Sequence, residues 1–117
     1  MGLDFSLADA HWSYSGFNEF RHRVAKSIHI DLDEMDGFGG STPWKKVRNP
    51  LKYLLNHSDC DGKLTPHQCK LIAPELKRVI KSWNDADEGI EYHIENGLGL
   101  VAGMEQCADR KEALVFW

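Results

Sequence analysis

Apolar residues recur at helical spacing after an aromatic N-terminal region, and they predict the first helix. Ser15 can cap this helix by accepting a backbone N–H at its start. Four apolar residues, three or four positions apart, form the side predicted to be buried: Phe17, Phe20, Val24 and Ile28. The opposite side is predicted to be polar and solvated: Asn18, Glu19, Arg21, Arg23 and Lys26.

Two further helix starts lie in the middle of the chain. Asn49 followed by Pro50 is typical of a helix N-terminus, and the short helix after it would bury Leu51, Leu54 and Leu55. The second start is the segment 65–68, which has the form of a capping box with Pro at the first helical position. The helix that follows has one apolar stripe: Cys69, Ile72, Leu76, Val79, Ile80 and Trp83. Because this stripe keeps its phase across Pro74, we predict one kinked helix rather than two.

The last predicted helix runs from Glu88 to Asp109. Its apolar stripe is Ile90, Ile94, Leu98, Val101 and Met104. The stretch also contains Gly97, Gly99 and Gly103, each of which costs a helix about 1 kcal/mol relative to Ala. Close packing against a neighbouring element would explain these glycines, and a break near Gly97 is the alternative.

Both ends of the chain have the character of strands. Apolar and polar residues alternate from Leu3 to Leu7, and the segment from Ala113 to Trp117 is rich in β-forming residues. The two segments could pair. We therefore predict a mainly α (α+β) fold: a small helical bundle in which residues 1–117 form a single domain, with a short strand pair from the termini.

Composition and charge narrow the functional classes. Hydrophobic residues make up 42% of the chain and charged residues 27%, which is typical of an ordered domain. A formal charge of −4 argues against an extensive nucleic-acid surface, although Arg21, Arg23 and Lys26 leave room for a local basic patch. No signal peptide or membrane-length apolar run is apparent, and three cysteines form no disulfide framework. We expect a cytoplasmic protein with no membrane partner.

The segment 57–68 resembles an EF-hand calcium loop, with Gly62 at the sixth position where a sharp turn is needed. The resemblance places five residues at ligand positions: Asp59, Asp61, Lys63 through its carbonyl, Thr65 and Gln68. Two departures weaken it. His57 stands where the family has Asp, and Gln68 stands where it has a bidentate Glu. We expect a structural turn, with weak calcium binding as the alternative.

The same stretch offers two imidazoles and two thiols to zinc: His57, Cys60, His67 and Cys69. Their spacing is not that of common zinc sites, and Cys69 also belongs to the apolar stripe of its helix. Zinc is therefore a weaker prediction than calcium, and no cofactor is the leading one.

Other candidate residues point to binding more than to catalysis. The six histidines form no recognisable pair with a nucleophile, although His22 and His29 could share a helix face. Trp12 and Tyr14 precede the first helix and are predicted partner contacts, with Trp44 and Trp117 next.

Three stretches resemble a group of small bacterial and phage proteins: residues 2–6, residues 11–21 and residues 54–62. They read GLDFS, HWSYSGF followed by FR, and LLNHSDCDG. The resemblance implies a phage or prophage setting and no particular chemistry. The leading functional prediction is a non-enzymatic protein-interaction or regulatory module whose partner is another protein. The alternatives are a weak calcium-binding protein and a small metal-dependent hydrolase or nuclease.

Overall fold

Four helices dominate the structure, a computed structural model that describes residues 3–36, 38–56, 62–83 and 90–116. The helices are α1 (Tyr14–Ser27), α2 (Lys52–Leu55), α3 (Pro66–Lys81) and α4 (Ile90–Arg110). The long helices α3 and α4 pack against each other, and α1 packs across α3. The predicted mainly α (α+β) class is confirmed. No helix within the described ranges combines the length and the apolar character needed to cross a bilayer.

The N-cap of helix α1 lies two residues before its predicted position. Ser13, not Ser15, is the N-cap, and its Oγ accepts the N–H of Gly16 at 3.0 Å. Phe17 and Phe20 are buried as predicted, but the prediction that Arg21 lies on the solvated side of the helix is wrong. Arg21 is only 4% exposed, because it lies four residues after Phe17, on the same helical face.

The guanidinium of Arg21 is accommodated by rings and by a backbone carbonyl. Its central carbon lies 5.1 Å from the ring centroid of Phe17 and 5.2 Å from that of Phe38. Its Nη1 donates to the carbonyl of Leu55 at 3.3 Å. Stacking on aromatic faces and one charge-assisted hydrogen bond make burial of this cation tolerable.

Helix α3 follows the sequence prediction closely. The capping box is complete, and the helix is continuous through Pro74. The predicted stripe residues on α3 are buried: Cys69, Ile72, Leu76, Val79 and Ile80. Trp83 lies just past the end of α3 and is half-buried.

Helix α4 is rotated relative to its predicted stripe. Leu98 is 38% exposed, whereas Gly97 and Leu100 are buried. The rotation follows from packing: a Cβ at Gly97 would lie 2.6 Å from Cδ1 of Ile80. Close contact with α3 therefore sets the face of α4, and the helix runs unbroken through Gly97.

The other two glycines of α4, Gly99 and Gly103, pack against the segment that links the first two strands. A Cβ at Gly99 would lie 2.2 Å from the carbonyl oxygen of Asp9, and one at Gly103 would lie 2.4 Å from Cβ of Ala8. Only glycine allows the backbone of this segment to approach so closely. Close packing is thus confirmed, and the alternative of a broken helix is wrong.

Two antiparallel pairs of two-residue strands complete the fold. Strand β1 (Leu3–Asp4) pairs with β2 (His11–Trp12), and β3 (Lys63–Leu64) pairs with β4 (Leu114–Val115). The termini do meet, through a bridge between Phe5 and Phe116. Strand β4 nevertheless forms its two-residue pairing with β3. The C-terminal strand therefore connects the turn before α3 to the N-terminal segment.

Residues 28–47 form an irregular connection built on two short 3-10 turns. The first is Leu32–Glu34, in an acidic stretch, and the second is Trp44–Lys46. A bridge between Met35 and Thr42 closes the loop between them. This loop places Trp44 beside α2 and β3.

Candidate functional site: a basic groove beside the Gly62 turn

The segment that resembles an EF-hand loop is flanked by helices on both sides. Helix α2 ends at Leu55, α3 begins at Pro66, and Gly62 adopts a φ of +97°, a left-handed conformation that favours glycine. Residues 57–61 lie outside the described part of the chain. The predicted metal ligands Asp59 and Asp61, and the zinc candidates His57 and Cys60, fall within them.

Two of the predicted calcium ligands form the capping box at the start of α3. Oγ1 of Thr65 accepts the N–H of Gln68 at 3.1 Å, and Oε1 of Gln68 accepts the N–H of Thr65 at 2.9 Å. Lys63 lies in β3. Among the described residues, no group of three or more His, Cys, Asp or Glu side chains is arranged to hold a metal ion. These two hydrogen bonds fix the start of α3.

The zinc candidates of α3 lie in different environments. His67 is exposed, whereas Cys69 is buried and its thiol interacts with that of Cys107. Burial, reinforced by Cys107, raises the pKa of the Cys69 thiol to about 12. Since zinc binds the thiolate, this environment suits a core residue better than a ligand.

A groove of about 270 Å³ opens beside the turn, where the second 3-10 turn, α2, β3 and the start of α3 meet. We call it the basic groove. Its lining residues are Trp44, Lys45, Lys52, Tyr53, Asn56, Lys63, Leu64 and Gln68. These side chains offer ammonium groups, amides and two aromatic rings to a bound molecule.

The aromatic walls of the basic groove differ in their contacts and in their exposure. Nε1 of Trp44 donates to the carbonyl of Asp36 at 2.9 Å, and its ring meets Phe38 edge to face at 6.0 Å, so the indole is fixed. Tyr53 is 37% exposed, and Nζ of Lys52 lies 5.4 Å from its ring centroid. One wall is thus rigid and the other presents its ring to solvent beside a cation.

Charge is strongly segregated around the basic groove. Residues 37–58 contain four cations and no Asp or Glu: Lys45, Lys46, Arg48 and Lys52. Because the whole chain carries −4 and this segment +4, the remaining residues carry −8. The groove is therefore a local positive feature of an acidic protein.

The predicted partner contacts at Trp12 and Tyr14 have different outcomes. The expectation that Trp12 is exposed is wrong, since its exposure is 0% and its ring packs 4.6 Å from that of Phe20. Strand β2 turns alternate residues inward, which places Trp12 in the core. Tyr14 is partly exposed and stays a candidate. Trp117 lies outside the described residues, and Trp44 lines the basic groove.

A second groove, of about 600 Å³, contains both His22 and His29. The prediction that they share a helix face is wrong, because α1 ends at Ser27 and His29 lies beyond it. We call this second groove the histidine groove, and its lining residues are His22, Lys26, His29, Ile30, Asp31 and Leu32. Nδ1 of His22 lies 2.8 Å from the carbonyl of Asn18, and Nε2 lies 3.0 Å from a carboxylate oxygen of Asp33. Both acceptors require a donor, so the doubly protonated imidazolium fits this position.

The hydrogen bonds explain how His22 titrates. Burial by itself lowers its pKa, but the bonds to Asp33 and to the carbonyl of Asn18 outweigh burial, and the pKa is raised. With both ring nitrogens engaged, His22 has no nitrogen directed at a substrate. The histidine groove thus lacks a base ready for catalysis at His22.

Another histidine, His93, is buried in the core. Its Nδ1 accepts the indole N–H of Trp12 at 3.3 Å, and its Nε2 lies 3.8 Å from a carboxylate oxygen of Glu19. Burial lowers the pKa of His93. The nearby Glu19 raises this pKa and Arg23 lowers it, and the net pKa is lowered. Its position indicates a structural role, since it is only 4% exposed.

Sequence reasoning did not find the basic groove, although a signal for it exists. The cations of residues 37–58 are spread between apolar residues and do not form a run. The informative feature is the lack of any acidic residue over that length in an acidic chain. Lys63 joins the groove through the β3–β4 pairing, which local sequence does not reveal.

Comparison with family models, with curated proteins and with solved structures finds no match for this chain. The resemblance to small bacterial and phage proteins stays a prediction. The function is therefore argued from the site itself.

Proposed function

We propose that this protein is a non-enzymatic interaction module and that the basic groove is its contact face. The observation that carries the proposal is the convergence of cations and aromatic rings at one concave site in an otherwise acidic chain. Aromatic side chains contribute much of the energy of protein interfaces, and cations add selectivity for charge. The partner is another protein, as predicted from the sequence.

The lining chemistry supports binding over catalysis. The lining residues of the basic groove supply ammonium groups, amides and rings, and none of those described is a carboxylate, imidazole or thiol. Acid–base or nucleophilic chemistry generally needs such groups. In the histidine groove, the hydrogen bonds of His22 leave it poorly suited to act as a base.

The geometry of the basic groove also favours a stable contact. Trp44 is held by its hydrogen bond to Asp36, so little side-chain entropy is lost when a partner covers the ring. Lys45 and Lys52 come from different elements, the second 3-10 turn and α2, so they can engage two points of a partner. A hydrogen-bonded ring and two cations in the same groove provide both orientation and charge selectivity.

A capture experiment with matched charge variants tests the proposal. The wild-type protein, Lys45→Glu/Lys52→Glu and Lys70→Glu/Lys77→Glu would be immobilised and exposed to the same bacterial lysate. The second pair is the control, because the side chains of Lys70 and Lys77 are exposed on α3 and lie outside the basic groove. Circular dichroism would verify that all three proteins have the same fold.

We expect proteins retained by the wild type to be retained by the α3 control and lost from the groove variant. Both variants change the formal charge equally, so a difference between them reports position and not total charge. Equal capture by all three proteins would remove the basic groove as the contact face.

A further inference from the structure

We infer that the basic groove binds an acidic segment of another protein in which a bulky apolar side chain lies next to the carboxylates. This inference rests on the proposed function and names the chemistry of the partner. It follows from three features of the groove: the placement of its cations, the state of its aromatic walls and the charge of the surface around it.

Two cations approach the groove from different elements. Lys45 belongs to the second 3-10 turn and Lys52 to α2. Lysine carries a compact point charge on a flexible stem, unlike the flat fork of arginine. Such groups can follow carboxylates at variable positions along a peptide, which makes an acidic segment a suitable ligand.

The aromatic walls require more than charge from the partner. Trp44 is fixed by Asp36 and packs edge to face on Phe38, while Tyr53 is exposed beside Nζ of Lys52. A purely acidic peptide would leave these rings against solvated carboxylates. A Tyr, Phe or Leu side chain of the partner would instead cover apolar ring surface and gain the stabilisation of its burial.

Two amide side chains that line the groove fit a peptide backbone. Asn56 is exposed at the end of α2, and its amide can both donate and accept. Gln68 uses its Oε1 in the capping box, which leaves its Nε2 as a donor on the groove side of α3. A peptide carbonyl is a natural acceptor for these donors.

Surrounding charge distinguishes an acidic peptide from single-stranded nucleic acid, the other ligand that cations and rings commonly bind. A nucleic-acid strand carries a charge at every phosphate and continues beyond a groove of about 270 Å³. There it would meet a protein whose net charge is −4. A peptide can confine its carboxylates to the groove, so repulsion from the rest of the molecule is smaller.

Fluorescence anisotropy with three labelled probes tests the inference. The first probe is a peptide of alternating Glu and Tyr, the second has Ser in place of every Tyr, and the third is an oligothymidylate with the same number of negative charges. The proteins are the wild type, Lys45→Glu/Lys52→Glu, Tyr53→Ser, Trp44→Leu and the control Lys70→Glu/Lys77→Glu. Tyr53 is exposed, so its variant keeps the test of the aromatic wall valid if Trp44→Leu fails to fold.

We expect the Glu/Tyr peptide to bind the wild type and the α3 control equally, and the charge-reversal variant roughly tenfold or more weakly. Removal of either aromatic wall, or of the peptide tyrosines, should weaken binding by about threefold to tenfold. Stronger binding of the oligothymidylate than of the Glu/Tyr peptide would overturn the inference in favour of nucleic acid. Equal binding of the two peptides would overturn the requirement for an apolar side chain.

The two proposals fail in different ways. If lysate proteins are captured through the basic groove but the Glu/Tyr peptide does not bind, the partner chemistry is wrong and the contact face stands. If capture does not depend on Lys45 and Lys52, the contact face itself is wrong.

Discussion

Two histidines of this protein are held in environments that favour opposite protonation states. His93 is buried, accepts the indole N–H of Trp12 and has a lowered pKa. His22 donates from both nitrogens, to Asn18 and Asp33, and has a raised pKa. Both stand in helices, and the difference comes from their surroundings: burial dominates at His93, and hydrogen bonds to Asp33 and Asn18 outweigh burial at His22. Each makes stability depend on pH, with opposite sign.

The sign for His93 predicts loss of stability in mild acid. A histidine whose pKa is lower in the folded protein binds a proton more readily in the unfolded chain. Its contribution is complete above the unfolded pKa of about 6.5 and is lost as pH falls through the folded value. His22 has the opposite effect, since its contribution is present below about 6.5 and is lost as pH rises through its raised pKa.

We therefore expect His93→Phe, measured in the His22→Gln background, to reduce the fall in unfolding free energy between about pH 7 and pH 5. Urea denaturation at the two pH values would measure it, with His67→Gln as an exposed control. The His22 contribution itself should be below about 1 kcal/mol, because the side chain of Asp33 is 76% exposed. An unchanged pH dependence in the His93 variant would show that other groups are responsible.

At the scale of elements, helix ends and helix surfaces have different origins. The start of α3 is set locally, by the capping box of Thr65 and Gln68. The face of α4 is set by what lies against Gly97, Gly99 and Gly103. Each origin leads to its own test.

Replacing Gly103 with Ala should destabilise the protein although it raises helix propensity. The propensity gain is about 1 kcal/mol, but the new Cβ would lie 2.7 Å from Cα of Ala8 and 3.0 Å from the carbonyl oxygen of Leu7. Backbone atoms cannot move aside as a flexible side chain can, and overpacking costs about 1–3 kcal/mol. We expect a net loss of about 1 kcal/mol in urea denaturation.

Gln106→Ala is the matched control, since Gln106 is exposed on the same helix and the substitution also favours helix. It should change the unfolding free energy by less than about 0.5 kcal/mol. A Gly103 variant more stable than the wild type would mean that the segment around Ala8 is not packed on α4.

The capping box leads to a prediction about calcium. Loss of the cap in Thr65→Ala should lower the unfolding free energy by about 1 kcal/mol, equally with calcium and with a chelator. Calcium at about 1 mM should not raise the melting temperature of the wild type, because His57 and Gln68 replace the two end carboxylates of the EF-hand pattern.

The double variant His57→Asp/Gln68→Glu serves as a positive control for calcium. It restores both carboxylates, and Glu is as compatible as Gln with a capping box. Its melting temperature should rise with calcium. A comparable rise in the wild type would support the alternative of a calcium-binding protein.

At the scale of the whole molecule, the sequence predicts those features that depend on neighbouring residues. Apolar spacing predicts α1, and the capping box together with apolar spacing predicts α3, because hydrogen bonding at helix ends and burial of one helix face are local. The burial of Arg21 and Trp12 is not predicted, since polarity and position before a helix suggested exposure for both. The rotation of α4 is missed because a buried glycine carries no hydrophobic signal.

The basic groove escapes sequence prediction for a similar reason. Its residues come from four elements, and the pairing of β3 with β4 helps to bring them together. Trp44 could be named as a secondary partner contact from its aromatic character alone, but its fixed orientation depends on Asp36 and Phe38. Long-range contacts thus determine the candidate site, whereas local patterns determine most helices.

The charge distribution of the whole molecule predicts unusual association kinetics with the Glu/Tyr peptide. At a distance the peptide meets a protein of charge −4, and only near the groove does it meet Lys45 and Lys52. The Debye length is about 30 Å at 0.01 M salt and about 10 Å at 0.1 M, so added salt screens the distant repulsion first. The association rate should therefore rise between these salt concentrations, whereas electrostatic steering would make it fall.

Stopped-flow anisotropy would measure both rate constants as salt is raised. The dissociation rate should increase steadily, since the contacts of Lys45 and Lys52 with carboxylates weaken with ionic strength. In Lys45→Glu/Lys52→Glu the dissociation rate should already be high at low salt and change little, whereas the control Lys70→Glu/Lys77→Glu should keep the wild-type increase. An association rate that falls with salt in the wild type would mean that the field of the groove reaches beyond the acidic surface around it, and that the cations steer the partner as well as hold it.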